Sequence, residues 1–337
     1  MDEFEDSRLE DPVVLSEADD LLRPLAESGA RLRREALMAE EALNQLGRED
    51  QIRAMITFGP EARLLRAVLE PTCPVPLVAW PRLGLPGWVG PLDVVVVLGG
   101  GDKASVAGAF EAVRRGCRLL IVAPPDSLLV REGGSSATTV LPTSTGDPLA
   151  AAIIALAGLN RLGLAPELSL ADVADAMDAV AAESSAQLDV SQNPAKAMAL
   201  ELADAAPLVW GGSILAARAS RRIAEALRAA SGRVVLSADA GALAPLLSAV
   251  PPRDPFADPF EDDATVRRPG LVMIDDGRDD EQAAEERRRL VALAHTQDVM
   301  VSDLIHDLGS PMERYVTVLL KGLFAASYLQ IGLHRRR

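Results

Sequence analysis

Apolar residues along this chain follow two patterns in turn. Between residues 15 and 46 leucines recur at helical spacing among charges (Leu21, Leu22, Leu25, Leu32, Leu37, Leu43), which predicts helix, with Ser16 placed to cap its start. From residue 52 short, continuous apolar runs take over, at 52–58, 75–80, 92–98, 118–123 and 138–141. A helical stretch over 104–115 separates the third run from the fourth and is closed by Gly116, a residue suited to a helix C-cap. Continuous apolar strands alternating with helices predict a parallel sheet covered on both faces. Asp147 and Pro148 then open an Ala-rich helix, as N-cap and first helical residue.

Residues 165–206 read as helical, with a break near Asn193-Pro194, after which the alternation restarts. Strands are expected at 207–210, 233–237, 271–274 and 299–304, and helices at 214–230, 242–250, 281–294 and 311–333. The fold class is α/β with two tandem units, each a parallel sheet flanked by helices. The repeat is one of architecture, not of letters. The expected divisions are a mobile acidic tail over 1–14, a first domain over 15–164 with its leading helix, and a second over 165–337. Residues 251–269, rich in Pro, Asp and Phe, read as an exposed, partly disordered loop inserted in the second domain.

Composition narrows the functional classes. A hydrophobic content of 49 % provides full cores and excludes a disordered chain, and 3 % aromatics means those cores are Ala, Leu and Val. A formal charge of −15 repels a phosphate backbone and argues against nucleic acid, while leaving room for a small anion in a local pocket. Two cysteines, Cys73 and Cys117, make neither a disulfide framework nor a zinc knuckle and suit a reduced, cytoplasmic setting. The acidic first residues lack the pattern of a secretory signal. Apolar stretches such as 149–159 fall short of the ~20 residues a membrane span needs. The apolar C-terminal segment, carrying Glu313, Arg314 and Lys321, reads as a core helix. His295, His306 and His334 lie too far apart for metal-ligand spacing, so no zinc site is expected; no cofactor is expected either.

Four places carry candidate chemistry. Gly99-Gly100-Gly101-Asp102-Lys103-Ala104-Ser105 joins the third strand to its helix, where glycine amides, Lys103 and Ser105 suit an anion; the bland reading is a tight turn with Asp102 as cap. Thr143-Ser144-Thr145-Gly146 follows the fifth strand, where small hydroxyls suit a phosphate or sugar; they equally suit a capped loop. Gly212 and Ser213 form the equivalent turn of the second unit, with Ser213 a natural N-cap. Glu225, in the helix that follows, is a candidate proton-abstracting base; its four-residue spacing from Arg221 suits a surface pair instead.

Gly84-Leu85-Pro86-Gly87-Trp88-Val89-Gly90, followed by the valine strand, resembles the bifunctional phosphoglucose/phosphomannose isomerases, built from two sugar-isomerase (SIS) domains. Asn193-Pro194-Ala195-Lys196 with Pro207-Leu208-Val209-Trp210-Gly211 is similar to the start of that family's second domain. The C-terminal helix from Gly309-Ser310-Pro311 to Ala325-Ala326-Ser327-Tyr328-Leu329 is similar as well. The likeness spans residues 50–333 in order, and the acidic, Ala-rich composition suggests an actinobacterial, TobH-like branch.

The resemblance implies two flavodoxin-like SIS domains, a homodimer and sugar-phosphate ligands. It also implies aldose–ketose isomerisation through an enediolate, which requires a phosphate cradle, a carboxylate base, a ring-opening histidine and positive charge. The family's hydroxyl-rich cradle after the third strand is replaced here by Leu98-Gly99-Gly100-Gly101-Asp102-Lys103. Its arginine after the fifth strand is replaced by Thr145-Gly146-Asp147-Pro148, and its histidine loop by 251–269, which holds no histidine. Arg218 and Glu225 keep the family's spacing. Each lost acid–base group is worth ~10²–10⁴-fold. The expectation is therefore a phosphosugar-binding protein, regulatory or accessory in carbohydrate metabolism, with its catalytic residues largely lost. The alternatives are an active isomerase using Glu225 and a scaffold that takes no small molecule.

Overall fold

The computed structural model describes residues 4–48, 51–81, 84–99, 101–251, 267–278 and 280–335. Residues 252–266 of the expected loop, and Gly100, lie outside the described residues. In chain order the helices and strands are α1 (Pro12–Glu17), α2 (Asp19–Ala26), α3 (Ser28–Gln45), β1 (Ala54–Phe58), α4 (Ala62–Leu69), β2 (Leu77–Ala79), β3 (Asp93–Leu98), α5 (Lys103–Arg114), β4 (Arg118–Ala123), α6 (Leu128–Gly133), β5 (Thr138–Pro142), α7 (Pro148–Arg161) and α8 (Leu170–Glu183). They continue as α9 (Pro194–Glu201), β6 (Ala206–Gly211), α10 (Ile214–Ser231), β7 (Leu236–Ser237), α11 (Ala240–Ser248), β8 (Pro269–Asp275), α12 (Glu281–Thr296), β9 (Val301–Ile305) and α13 (Pro311–Gly332).

The chain divides into two compact units, one of residues 28–175 and one in which the N-terminal residues to 27 join 176 onward. This differs from the expected boundary at 164/165. The helices expected to lead the first unit are α1 and α2 of the second, and residues 165–175 close the first.

The 28–175 unit is a five-stranded parallel sheet in the order β2-β1-β3-β4-β5, the doubly wound flavodoxin order. Every residue of β1 and β3 is buried, because helices cover both faces. Ile56, Phe58, Val95, Val97, Leu119 and Ile121 point to one face and pack on Ala109, Ala112 and Leu129 of α5 and α6. The opposite face carries α7, whose Gly158 backbone lies against Leu141 and Leu120. Gly59 ends β1 at φ +104°, and a Cβ there would stand 2.2 Å from the carbonyl oxygen of Leu98, so only glycine fits this crossing. Asp147 accepts from the amides of Leu149 and Ala150 with Pro148 at the first helical position, as expected.

The other unit holds a four-stranded parallel sheet, β7-β6-β8-β9. Leu208, Trp210, Leu271 and Met273 face α11 and α12 through Leu243, Leu247 and Leu290. On the other side α10 and α13 cross closely, with Gly322 against Ile223. α13 is long and apolar enough to cross a membrane by length and composition, yet it is a core helix here: Tyr315, Phe324 and Tyr328 are all within 2 % of complete burial. Its start is a full capping box, Ser310 with Glu313. β7 is only two residues long, shorter than the expected 233–237, and sits at the sheet edge.

Residues 4–14, expected as a mobile tail, are folded. Leu9 is fully buried, the Glu5 amide donates to the carbonyl of Gly332 at 3.0 Å, and the Arg8 guanidinium donates to that of Ile331 at 2.8 Å. Asp11, not Ser16, caps the first helix, accepting from Val13 and Val14. The single helical stretch expected over 15–46 is three helices, with Pro24 inside the second.

Candidate functional site

In open α/β sheets ligands sit beyond the carboxyl ends of the strands. At the end of β3, Gly99 and Gly101 have φ of +98° and +119°, and the Gly99 amide continues the ladder by donating to Val122. Asp102 then turns back over the helix. One of its oxygens accepts from the amides of Ala104 (3.0 Å) and Ser105 (3.1 Å), the other from the Ser105 hydroxyl (2.5 Å). Burial pushes this carboxyl up, but the hydrogen bonds from the hydroxyl and amide of Ser105 and the amide of Ala104 outweigh it and hold it below its ordinary value. The Ser105 hydroxyl and the first amides of α5 are therefore already engaged by the protein's own anion. Lys103 is exposed.

The end of β5 is filled in the same manner. Glu35 of α3, 1 % exposed, accepts from the Ser144 amide at 3.0 and 2.8 Å, the Thr145 amide at 2.6 Å and the Thr145 hydroxyl at 2.5 Å. Two amides and a hydroxyl converging on one oxyanion are the geometry expected of a small anion site; here the anion belongs to the chain. Thr143 is buried, and its amide donates to Ala123. A third acid, Glu61, is buried just beyond β1. The β3 and β5 ends lie two strands apart, roughly 10 Å, so Gly99–Ser105 and Thr143–Thr145 form two separate turns.

In the other unit, the hydroxyl of Ser213 accepts from Ala216 at 2.9 Å, and the 211–213 turn packs tightly, with Gly211 against the backbone of Ala216. Glu225 lies twelve residues further on, roughly 18 Å along α10. It is exposed and paired with Arg222 at 2.7 Å, not with Arg221. The structure thus does not bring Glu225 to the Gly212–Ser213 turn. At the ends of β8 and β9, Asp276 is 1 % exposed, and Gly277 packs against Asp307. Burial lowers the basicity of His306, as do the nearby Lys321 and Arg314 cations, against Asp307 and Glu183.

Sequence reasoning missed Glu35, Glu61 and Asp276. Glu35 left a signal: it falls on the buried stripe of α3 with Leu32, Ala39 and Leu43, where an acid must find donors. Among the described residues no group of three or more His, Cys, Asp or Glu side chains is placed to hold a metal ion.

Two parallel sheets flanked by helices, joined in one chain, match the fold of paired SIS domains. Residues 191–333 match the bacterial phospho-glucose isomerase C-terminal SIS domain. Solved structures with the same fold include tagatose-6-phosphate ketose/aldose isomerase from Escherichia coli (14 % identity, TM-score 0.64, covering 94 % of this chain and 92 % of that one). A glucose-6-phosphate isomerase-like protein from Thermus thermophilus is similar at 17 % identity and TM-score 0.53, over 89 % and 91 % of the two chains. The C-terminal domain of glucosamine-fructose-6-phosphate aminotransferase from Francisella tularensis is similar at 12 % and 0.59, over 93 % and 96 %. At such identities the likeness is one of fold. No curated protein matches the sequence.

Proposed function

We propose that this chain binds a phosphosugar or related carbohydrate derivative without isomerising it, and serves carbohydrate metabolism in a regulatory or accessory role, as a cytoplasmic homodimer without a cofactor. The observation that carries the non-catalytic reading is the filling of the first unit's turns by Asp102 and Glu35. Their donors are engaged, and a ligand phosphate beside them would meet like charge. That engagement argues against the Ser105 and Thr145 hydroxyls and the Ser144 amide as ligand contacts. The remaining candidate contacts are Gly99, Gly100, Gly101, exposed Lys103 and Thr143 in the first unit, with Gly212 and Ser213 in the second. Glu225, paired on the solvent face, lacks the enclosed setting that tunes a carboxylate into a base.

The test pairs binding with turnover. Glucose 6-phosphate, mannose 6-phosphate and fructose 6-phosphate are added at millimolar concentration in thermal melts. A ligand at ten times its Kd adds about 1.4 kcal/mol, a rise of roughly 3–5 °C for units of this size. The expected result is a shift with at least one phosphosugar and no conversion in a coupled assay. No shift with any of them would remove the binding reading in favour of a scaffold. Conversion that disappears in Glu225→Gln would establish the isomerase instead.

A further inference from the structure

The second unit contains a groove of about 720 Å³ away from every strand end, lined by α1, α2, the 184–189 loop, α9 and α13. Its size is that of a small-molecule site. Leu15, Leu22 and Phe324 supply apolar lining. Among its polar lining residues, Lys196 and Ser184 are almost completely and completely buried, at 1 % and 0 % exposure.

Both groups retain hydrogen-bonding capacity. An ammonium has three donors; that of Lys196 gives two, to the carbonyls of Ala186 (2.9 Å) and Leu188 (2.7 Å), and has no third acceptor among the described residues. It lies 5.5 Å from the centre of the Tyr328 ring. The Tyr328 hydroxyl in turn donates to the Ser184 carbonyl at 2.7 Å, so Lys196 and Ser184 are held by the same tyrosine. The Ser184 hydroxyl has no partner. Leaving a buried hydroxyl unpaired costs about 1–3 kcal/mol, which a bound acceptor would relieve.

Charge decides what kind of acceptor. Glu10 and Asp189 line the groove and act electrostatically on Lys196, while Asp19 is paired with Arg23. Negative charge around the ammonium is already supplied, so a further anion is disfavoured and a neutral oxygen suits. We propose that this groove is a binding site for a small neutral molecule presenting a carbonyl oxygen to Lys196 and Ser184 and an apolar body to Leu15, Leu22 and Phe324. Burial makes the Lys196 ammonium less basic, against the nearby Glu10 and Asp189 charges, and its nitrogen donates to the Ala186 and Leu188 carbonyls; the role proposed for it is hydrogen bonding. The proposal does not depend on the phosphosugar reading.

Benzamide is the probe, with benzoate and toluene as controls, titrated into the full chain while the methyl signals of Leu15 and Leu22 are followed by NMR. Benzamide should shift those signals saturably and more tightly than either control. Ser184→Ala should weaken it about 3- to 10-fold, the loss of one neutral hydrogen bond. Ala26→Trp, at an exposed lining position, should abolish it. Unchanged methyl signals elsewhere in both variants serve as the check on folding. The proposal is overturned by no saturable shift, by equal affinity in Ser184→Ala, by toluene binding as well as benzamide, or by a preference for benzoate.

Discussion

Removing the Glu35 carboxylate should loosen the turn after β5 and convert it into a site that accepts an outside anion. In the native chain one buried carboxylate takes four hydrogen bonds of 2.5–3.0 Å from Ser144 and Thr145. Bonds to a charged acceptor contribute about 1.5–3 kcal/mol each, but four on one group do not add, and removal also relieves the burial of a charge. Breaking comparable buried charged contacts costs about 3–5 kcal/mol. Glu35→Ala should therefore speed amide exchange at Ser144 and Thr145 by roughly 10²- to 10⁴-fold, since 1.4 kcal/mol is tenfold. Glu35→Gln should fall between, because its NH₂ turns a donor toward donors. Hydrogen exchange with peptide-level mass spectrometry over 138–150 reads this in the full chain. Acetate or phosphate at 100 mM, against chloride at matched ionic strength, should restore protection in Glu35→Ala and leave the parent unchanged. Equal protection in Glu35→Ala and the parent, or recovery with chloride alone, would refute the reasoning.

Other expectations follow from the same geometry. His306 has a folded pKa below its ordinary 6.5, so its contribution to stability is present above 6.5 and is lost as pH falls through the folded value; His306→Gln should flatten the change in urea midpoint between pH 7.5 and 5.5, and an identical slope would contradict this. Asp102, also lowered, contributes above its ordinary 3.8 and loses that contribution on acidification; at neutral pH Asp102→Ala should destabilise the first unit by about 0.5–2 kcal/mol in denaturant melts, the worth of a helix cap. Tyr328 is pushed up to about 12 by burial, against a hydrogen bond with Asn193, so stability should fall as pH rises from 10 to 12, and Tyr328→Phe should remove that limb in alkaline melts. Gly59→Ala would force a Cβ to 2.2 Å from the Leu98 carbonyl oxygen and should lower the melting temperature of the 28–175 unit by more than any surface substitution tested beside it.

Much of the frame was legible because buried parallel strands write themselves as unbroken apolar runs. β1, β3, β4 and β5 fall within two residues of the expected limits, and Asp147-Pro148 and Ser310-Pro311 mark helix starts by chemistry that is local. β7 was over-read because Arg233–Leu236 has strand-forming residues but only the edge pair Leu236-Ser237 meets a neighbour. The membership of α2 was hidden because it docks on α13, some 300 residues away, which no local spacing encodes. At the candidate turns the sequence shows which hydroxyls and amides are present, but not that Glu35, more than 100 residues earlier, consumes them. For Glu225 the surface alternative agrees with its exposure, although its partner is Arg222, three residues back, where side chains also meet on one helix face.

The anchoring of residues 4–9 on the end of α13 has a consequence for biosynthesis. The two halves of the Arg8–Ile331 contact are 323 positions apart, so at about 5–20 residues per second the leading segment leaves the ribosome roughly 15–65 s before its docking surface exists. The 28–175 unit can fold during that wait, whereas the other unit closes only once residue 331 has been made. Meanwhile residues 1–27 carry ten acidic side chains against two arginines, a like-charge excess that opposes association through Leu9, Leu15 and Leu22.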